Sequence, residues 1–549
     1  MCINLYIINL YIINLYINLY IYLLYIYLYI YYIFIYIFII YLFIYIINIM
    51  TTFQERELEL LRESVNDIQT STKKKIAQSP DLTKLIVILE DFLKKKQLIC
   101  YGGTALNNIL PKKDQFYNKE IEVPDYDFYS SNALEDAKEL ADIYLKMGYD
   151  DVEAKSGMHF GTFKVFVHFI PLADITQMEK KLFDVVQKEA IKKNGILYAP
   201  ANFLRLNVYK ELSRPDGQVD RWEKIYKRLL LLNKYYPIKN KRCDAIQFMR
   251  EFEGDTELGA TLYKEVKKSI VDQKLVFFGG FASSLFSQYS PLVKGDTKGS
   301  IGDKKTIMKI PDFDALSDNP EKSARLIKER LEKKGIKKVK VYKKAGVGEI
   351  IAPHYEIVVD GNSVCFIYEP LGCHSYNTIT LDNQTIKIAT IDTMINLFLA
   401  FIYADRPYYD KERILCMSDY LFMIQTKNRL KQKGILKRFT KTCYGTEMTI
   451  QTIRENREKK FKELKPLRNK GSKKYEQYFL KYTPGDKSTQ KRQNAKACKL
   501  TRKRSSTRKR SSTRKRSSTR KRSSTRKRSS TRKRKNKTKK PNWFLSIFN

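Results

Sequence analysis

Apolar residues run from residue 1 to residue 50 with no charged interruption, in near-repeats of Ile-Asn-Leu-Tyr. About 20 apolar residues suffice to cross a bilayer. Against that reading, tyrosine hydroxyls recur throughout and are poorly placed at a bilayer centre. Residues 1–49 are therefore expected to be an artefactual extension ahead of a start at Met50, with a genuine membrane anchor as the other reading. After Met50 the pattern changes, and Leu58, Leu60, Leu61, Val65 and Ile68 fall on one face of an amphipathic helix.

From residue 98 the periods shorten. Leu98 to Tyr101 reads as a strand that ends in Gly102-Gly103, and Thr104 to Leu110 reads as the start of a helix. "VPDYDFYS" follows as a second strand, and "GTFKVFVHFIPLADIT" as an apolar hairpin carrying Asp174 near its end. The same succession then returns. "LVFFGGFASSLFSQYS" repeats strand, Gly279-Gly280 and helix, and "IPDFDALS" repeats the aspartate strand with Asp312 and Asp314. The glycine pairs lie 177 residues apart and the aspartate pairs 187. Strands interleaved with helices predict a mixed α/β chain of two tandem related modules. The expected divisions are 1–49, a helical region 50–95, a first module 96–240, a second module with helices 241–484, and a tail 485–549.

Charge changes this picture at one end. The chain of 549 residues carries 102 basic and 59 acidic residues, a net +43. Repeats of Thr-Arg-Lys-Arg-Ser-Ser place 22 positive and no negative charges between Thr501 and Lys540. With nothing apolar to bury, that tail is expected to be disordered, and it suits a polyanionic partner such as nucleic acid. The 8 cysteines form no C-x-x-C pair or dense framework, so reduced thiols in an intracellular, reducing compartment are the expectation. No zinc motif is present, although Cys373 and His374 are adjacent.

The candidate chemistry sits in the first module. A strand, a glycine pair and a helix N-terminus can cradle phosphate, because glycine permits close backbone approach and the helix start offers free N–H groups. Asp125 and Asp127, two apart in a strand, project from the same face. Two adjacent carboxylates repel unless a cation neutralises them, and hard oxygen ligands beside a phosphate suit magnesium. Asp174 supplies a third acid. The residues alone leave open a buried, paired carboxylate that serves only structure. In the second module the position matching Asp174 falls among Phe366 to Tyr368, and Glu369 is displaced from it by at least one residue. A one-residue slip reverses the face of a strand. The second module is therefore expected to be catalytically degenerate.

Gly102-Gly103-Thr104, Asp125-x-Asp127 and Asp174 resemble the nucleotidyltransferase superfamily that includes DNA polymerase beta. Segments 212–237, 388–410 and 413–422 resemble the poly(A) polymerase catalytic subunits of large DNA viruses. The interval between Gly103 and Asp125 is longer than is usual in the wider superfamily. The resemblance implies addition of AMP from ATP to RNA 3′ ends, with Asp125, Asp127 and Asp174 holding Mg2+ or Mn2+. It implies that Gly102, Gly103 and Thr104 hold the triphosphate, that the chain works as a homodimer, and that it acts in the host cytoplasm or virion. Arg205, Lys210, Arg214, Arg221 and Lys224 are candidates for phosphate or RNA contacts. The other readings are a non-catalytic RNA-binding subunit and a nucleotidyltransferase with another acceptor, of the CCA-adding or second-messenger type.

Overall fold

The computed structural model describes residues 2–77, 79–117, 125–238, 256–289, 313–470 and 472–485. Asp312 and the basic tail lie outside them. Two compact units are distinguished, one of them formed chiefly by residues 1–79. Its substance is a single helix, Cys2–Ala77, in which Ile12–Ile46 is long and apolar enough to cross a membrane. No helix break marks Met50, so the change from an all-round apolar to an amphipathic pattern occurs within one helix.

The other unit holds two sheets. The first is built from β1 (Ile99–Tyr101), β2 (Tyr126–Ser130), β3 (Val152–Ser156), β4 (Thr162–Val167), β5 (Ile170–Gln177), β6 (Ile191–Lys193) and β7 (Ile196–Tyr198). The second is built from β8 (Val276–Phe278), β9 (Phe313–Leu316), β10 (Val339–Lys344), β11 (His354–Val359), β12 (Asn362–Tyr368), β13 (His374–Leu381), β14 (Gln384–Ala389) and β15 (Cys443–Tyr444). A late strand, β16 (Lys481–Tyr482), returns to the first sheet beside β3. The spatial orders are β16-β3-β4-β5-β2-β1-β7-β6 and β10-β11-β12-β9-β8-β14-β13-β15.

Without the added edge strands β16 and β15, the two orders are the same topology. β2 pairs in parallel with β5, as β9 does with β12, and β1 pairs in parallel with β7, as β8 does with β14. Even the register irregularity recurs, in the β4–β5 hairpin at Val165/Phe166 and in the β11–β12 hairpin at Ile357/Val358. The duplication expected from the glycine and aspartate motifs is thus a duplication of the whole sheet. Helices Ala133–Lys146 and Pro320–Lys333 occupy matching places between the second and third strands of each copy. They bury Leu140 and Tyr144 in one and Ile327 and Leu331 in the other.

Helix Ala201–Leu212 of the first copy meets its counterpart Ile391–Tyr403, which is buried along its whole length. Asn396 donates across this junction to the Leu206 carbonyl (2.9 Å). Asp392 forms a fully buried pair with Arg438 at 2.6 Å, and Gln425 joins the same network, donating to Asp392 and accepting from the Tyr209 hydroxyl. The first copy is therefore braced from behind by the second.

One expectation fails here. Cys373 and Cys443 are joined as a disulfide, because Cys373 immediately precedes β13 and Cys443 opens β15, its partner strand. Seventy residues separate the two in sequence, so no local spacing could announce the pair. Cys416 is disulfide-bonded as well, whereas Cys100 and Cys365 are buried and form no disulfide, as was expected of the cysteines generally.

Candidate active site

β1 delivers the chain to Gly102 at φ +71°, a left-handed conformation that favours glycine. A Cβ added there would collide with the Asp127 carboxylate, so the turn and the acid are packed against each other. Tyr101 lies opposite Asp127 in the β1–β2 ladder, and its ring stacks on Tyr129 at 3.9 Å. Thr104, buried at the start of helix Gly102–Ile109, donates to the Asp125 carbonyl at 2.5 Å. Its hydroxyl thereby fixes the backbone from which the aspartates project.

Asp127 and Asp174 are direct partners in the parallel β2–β5 ladder. Adjacent strands lie about 4.8 Å apart, so the register alone seats the two carboxyls side by side. Asp125 stands one step outside β2, exposed, and its charge raises the pKa of both others. Burial, then Asp125 and Asp174, push the Asp127 carboxyl up to about 8. Burial also raises Asp174, against the pull of Lys164, whose ammonium contacts its carboxylate at 2.5 Å. The charges of Asp125 and Asp174 both act on Asp127, against those of Lys164 and Arg221. That deficit of positive charge, in an oxygen donor set, fits a divalent cation.

The structure adds residues that sequence reasoning missed. Above Gly103 sit the Tyr117 hydroxyl and the Arg228 guanidinium, whose Nη1 would be 3.1 Å from an added Cβ. Arg228 is buried, lies over the Phe116 ring and donates to Tyr117 at 2.7 Å. Asn107 holds this lid in place by accepting from the Phe116 and Tyr117 amides at 2.7 and 2.9 Å. The long interval after Gly103 is thus partly spent on bringing an aromatic pair over the glycine turn. Lys164 faces Asp174 because the β4–β5 hairpin carries a bulge. Counting outward from the turn without that bulge misses the pair by one residue.

Three of the basic candidates are removed by burial. Arg205 is fully buried and bonds Asn202, Asn233 and the Tyr236 carbonyl. Arg214 is buried against Glu447 at 3.5 Å, and Lys210 is buried beside it. Arg221 is half-buried, with its charge acting on Asp127.

In the second copy Gly279 has φ +73°, and an added Cβ would strike the Asp314 carboxylate, as at Gly102 and Asp127. Opposite Asp314 in the β9–β12 ladder stands Phe366. Phe366 packs with Tyr408 and His354, at ring separations of 5.8 and 6.2 Å. Glu369 is exposed beyond the end of β12. The third acid is absent and an aromatic cluster takes its place.

Comparison with known proteins agrees with the fold and the first module. Residues 87–218 match the family model described as poly(A) polymerase catalytic subunit. A protein of Acanthamoeba polyphaga mimivirus bearing that name is 29% identical over 205 residues, 35% of each chain. One of African swine fever virus (isolate Tick/Malawi/Lil 20-1/1983) is 30% identical over 181 residues, 32% of this chain and 38% of its own. The matched part spans little more than a third of the length of these curated relatives. The crystal structure of the Megavirus polyadenylate synthase superposes with a TM-score of 0.66 over 80% of this chain and 89% of its own, at 20% identity, and so shares the fold. The resemblance to the poly(A) polymerase catalytic subunits of large DNA viruses is borne out, and residues 87–218 are the part of the chain that carries that family's pattern.

Proposed function

We propose that the chain is a template-independent polynucleotide adenylyltransferase that adds AMP from ATP to RNA 3′ ends. The observation that carries this reading is the register of Asp127 against Asp174 beside the Gly102 turn. Asp125, Asp127 and Asp174 would hold the divalent ions, Mg2+ or Mn2+, which when bound lower the pKa of the attacking hydroxyl and neutralise the triphosphate.

The chain's own residues act by position and charge. Gly102 and Gly103 let the triphosphate approach the backbone at a helix N-terminus, and Arg228 adds a buried positive charge above the turn. Thr104 fixes Asp125 through its carbonyl. Lys164 balances Asp174 and limits repulsion before the cations arrive. The choice of ATP, and of RNA as acceptor, rests on the names of the relatives. Action in the infected host cell or virion rests on their viral origin.

Incubating the purified chain with 3′-labelled RNA and each nucleoside triphosphate in turn tests this proposal. Extension by ATP alone is expected, and extension lost in Asp127→Ala with an unchanged melting curve. Incorporation of CTP followed by ATP, or no incorporation at all, would refute it.

A further inference from the structure

Outside the three-aspartate cluster, a second group of ligating side chains converges on the turn that follows helix Ala201–Leu212. A carboxylate oxygen of Asp216 and the sulfurs of Cys373 and Cys443 all lie within 4.8 Å of one another. Asp216 is exposed, Cys373 is buried and Cys443 is half-buried. A disulfide is neutral and offers a carboxylate no electrostatic partner. Two thiolates and a carboxylate, by contrast, form a donor set for a borderline-soft cation.

The scaffold beneath these ligands does not depend on the disulfide. The Ser375 amide donates to the Ser213 carbonyl at 2.8 Å, tying β13 to the turn. The Cys373 amide donates to Glu447 at 3.0 Å, and Glu447 pairs with Arg214. Gly217 closes the turn by donating to the Arg214 carbonyl at 3.1 Å. The β13–β15 ladder aligns Ser375 with Cys443. With the sulfurs separated, all four ties would persist and keep the ligands converged. The Cys373 and Cys443 Cα atoms are 5.2 Å apart. Thiolates on such a pair can reach one tetrahedral ion through bonds of about 2.3 Å.

We propose that Cys373, Cys443 and Asp216 form a thiol-gated site for one zinc-class cation, closed as a disulfide when oxidised and loaded when reduced. Opening transfers two electrons and two protons from a dithiol reductant, which is itself oxidised to a disulfide. Binding of the cation then releases the two thiol protons, and a water molecule completes the coordination. This inference is independent of the proposed polymerase activity.

The test uses the full chain, reduced with a phosphine and freed of it under argon, with excess Mg2+ present to occupy hard oxygen sites. Cobalt(II) is the probe. A thiolate-to-cobalt charge-transfer band should saturate at one equivalent, disappear on adding zinc, and be absent from the oxidised chain. Cys443→Ser should abolish the band. Asp216→Ala, on an exposed turn where folding is not at stake, should weaken cobalt binding by at least about tenfold. No band in the reduced wild type would overturn the proposal. So would a band that survives in Cys443→Ser, or cobalt affinity unchanged by Asp216→Ala.

Discussion

Asp127 carries a stability cost that one substitution should expose. Without divalent cations its carboxyl is raised from 3.8 to about 8, first by burial and then by Asp125 and Asp174. The folded chain therefore holds a proton that the unfolded chain has released between about pH 4 and pH 8. More protons bound in the folded state means that stability falls as pH rises across that window and is level above it. A rise of about four pH units at 1.36 kcal/mol each sets an upper bound of roughly 5 kcal/mol. Asp127 is only half-buried, so water and local relaxation reduce this to roughly 2–3 kcal/mol. Asp127→Asn keeps the shape and removes the ionisation. In EDTA its melting temperature should match the wild type near pH 4 and exceed it by several degrees at pH 9. Millimolar Mg2+ should stabilise the wild type at pH 9 and leave the variant nearly unmoved. The assay is thermal unfolding followed by circular dichroism at both pH values. Parallel pH profiles for the two proteins in EDTA would refute the account of the site's electrostatics.

Asp125→Ala and Asp174→Ala should each abolish nucleotide addition in a folded protein, while Asp312→Asn/Asp314→Asn should leave elongation nearly intact, both measured by primer extension. Arg228→Ala should raise KM for ATP by tenfold or more with a smaller change in kcat, because its charge lies over the turn expected to hold the triphosphate. Arg438→Met leaves Asp392 buried without its partner and should cost about 3–5 kcal/mol in chemical denaturation. Light scattering of the full chain should give a homodimer at micromolar concentration, and a monomer would count against that expectation. Removing residues 485–549 should lower the salt slope of RNA binding by about 4 if five or six phosphates are contacted, and equal slopes would show that the tail does not touch RNA.

What the sequence disclosed was whatever depends on short-range geometry. A glycine that must adopt positive φ against a packed carboxylate leaves a fixed mark, so Gly102 and Gly279 were legible, as were the strands that carry Asp127 and Asp314. The two-copy architecture was legible because both marks recur at similar intervals. The disulfide, the Lys164–Asp174 pair and the Arg228 lid were not, for a common reason. Each depends on strand order, a bulge or a helix that arrives from far along the chain. Burial of Arg205, Lys210 and Arg214 escaped for the converse reason. Arg205 is covered by partners from its own module, Asn233 and the Tyr236 carbonyl, and Arg214 meets Glu447 from far along the chain, an approach that no local pattern encodes.

The second copy shows how little separates a site from its scaffold. Its glycine turn, aspartate strand and hairpin bulge repeat those of the first, and Asp314 presses on Gly279 as Asp127 presses on Gly102. Only the partner across the parallel ladder differs, Phe366 in place of Asp174. An acid there would raise the charge of the cluster and require a cation to offset it. Phe366 instead adds aromatic packing with His354 and Tyr408. Burial of a Phe side chain is worth about 1.5–3 kcal/mol with no ion required. The copy with Phe366 at this position thus has an aromatic core there, and helix Ile391–Tyr403 on the same module is the surface on which the first copy's Ala201–Leu212 rests. An acid pair in one module and an aromatic core in the other are thus the two outcomes of a single position in the second strand of the hairpin.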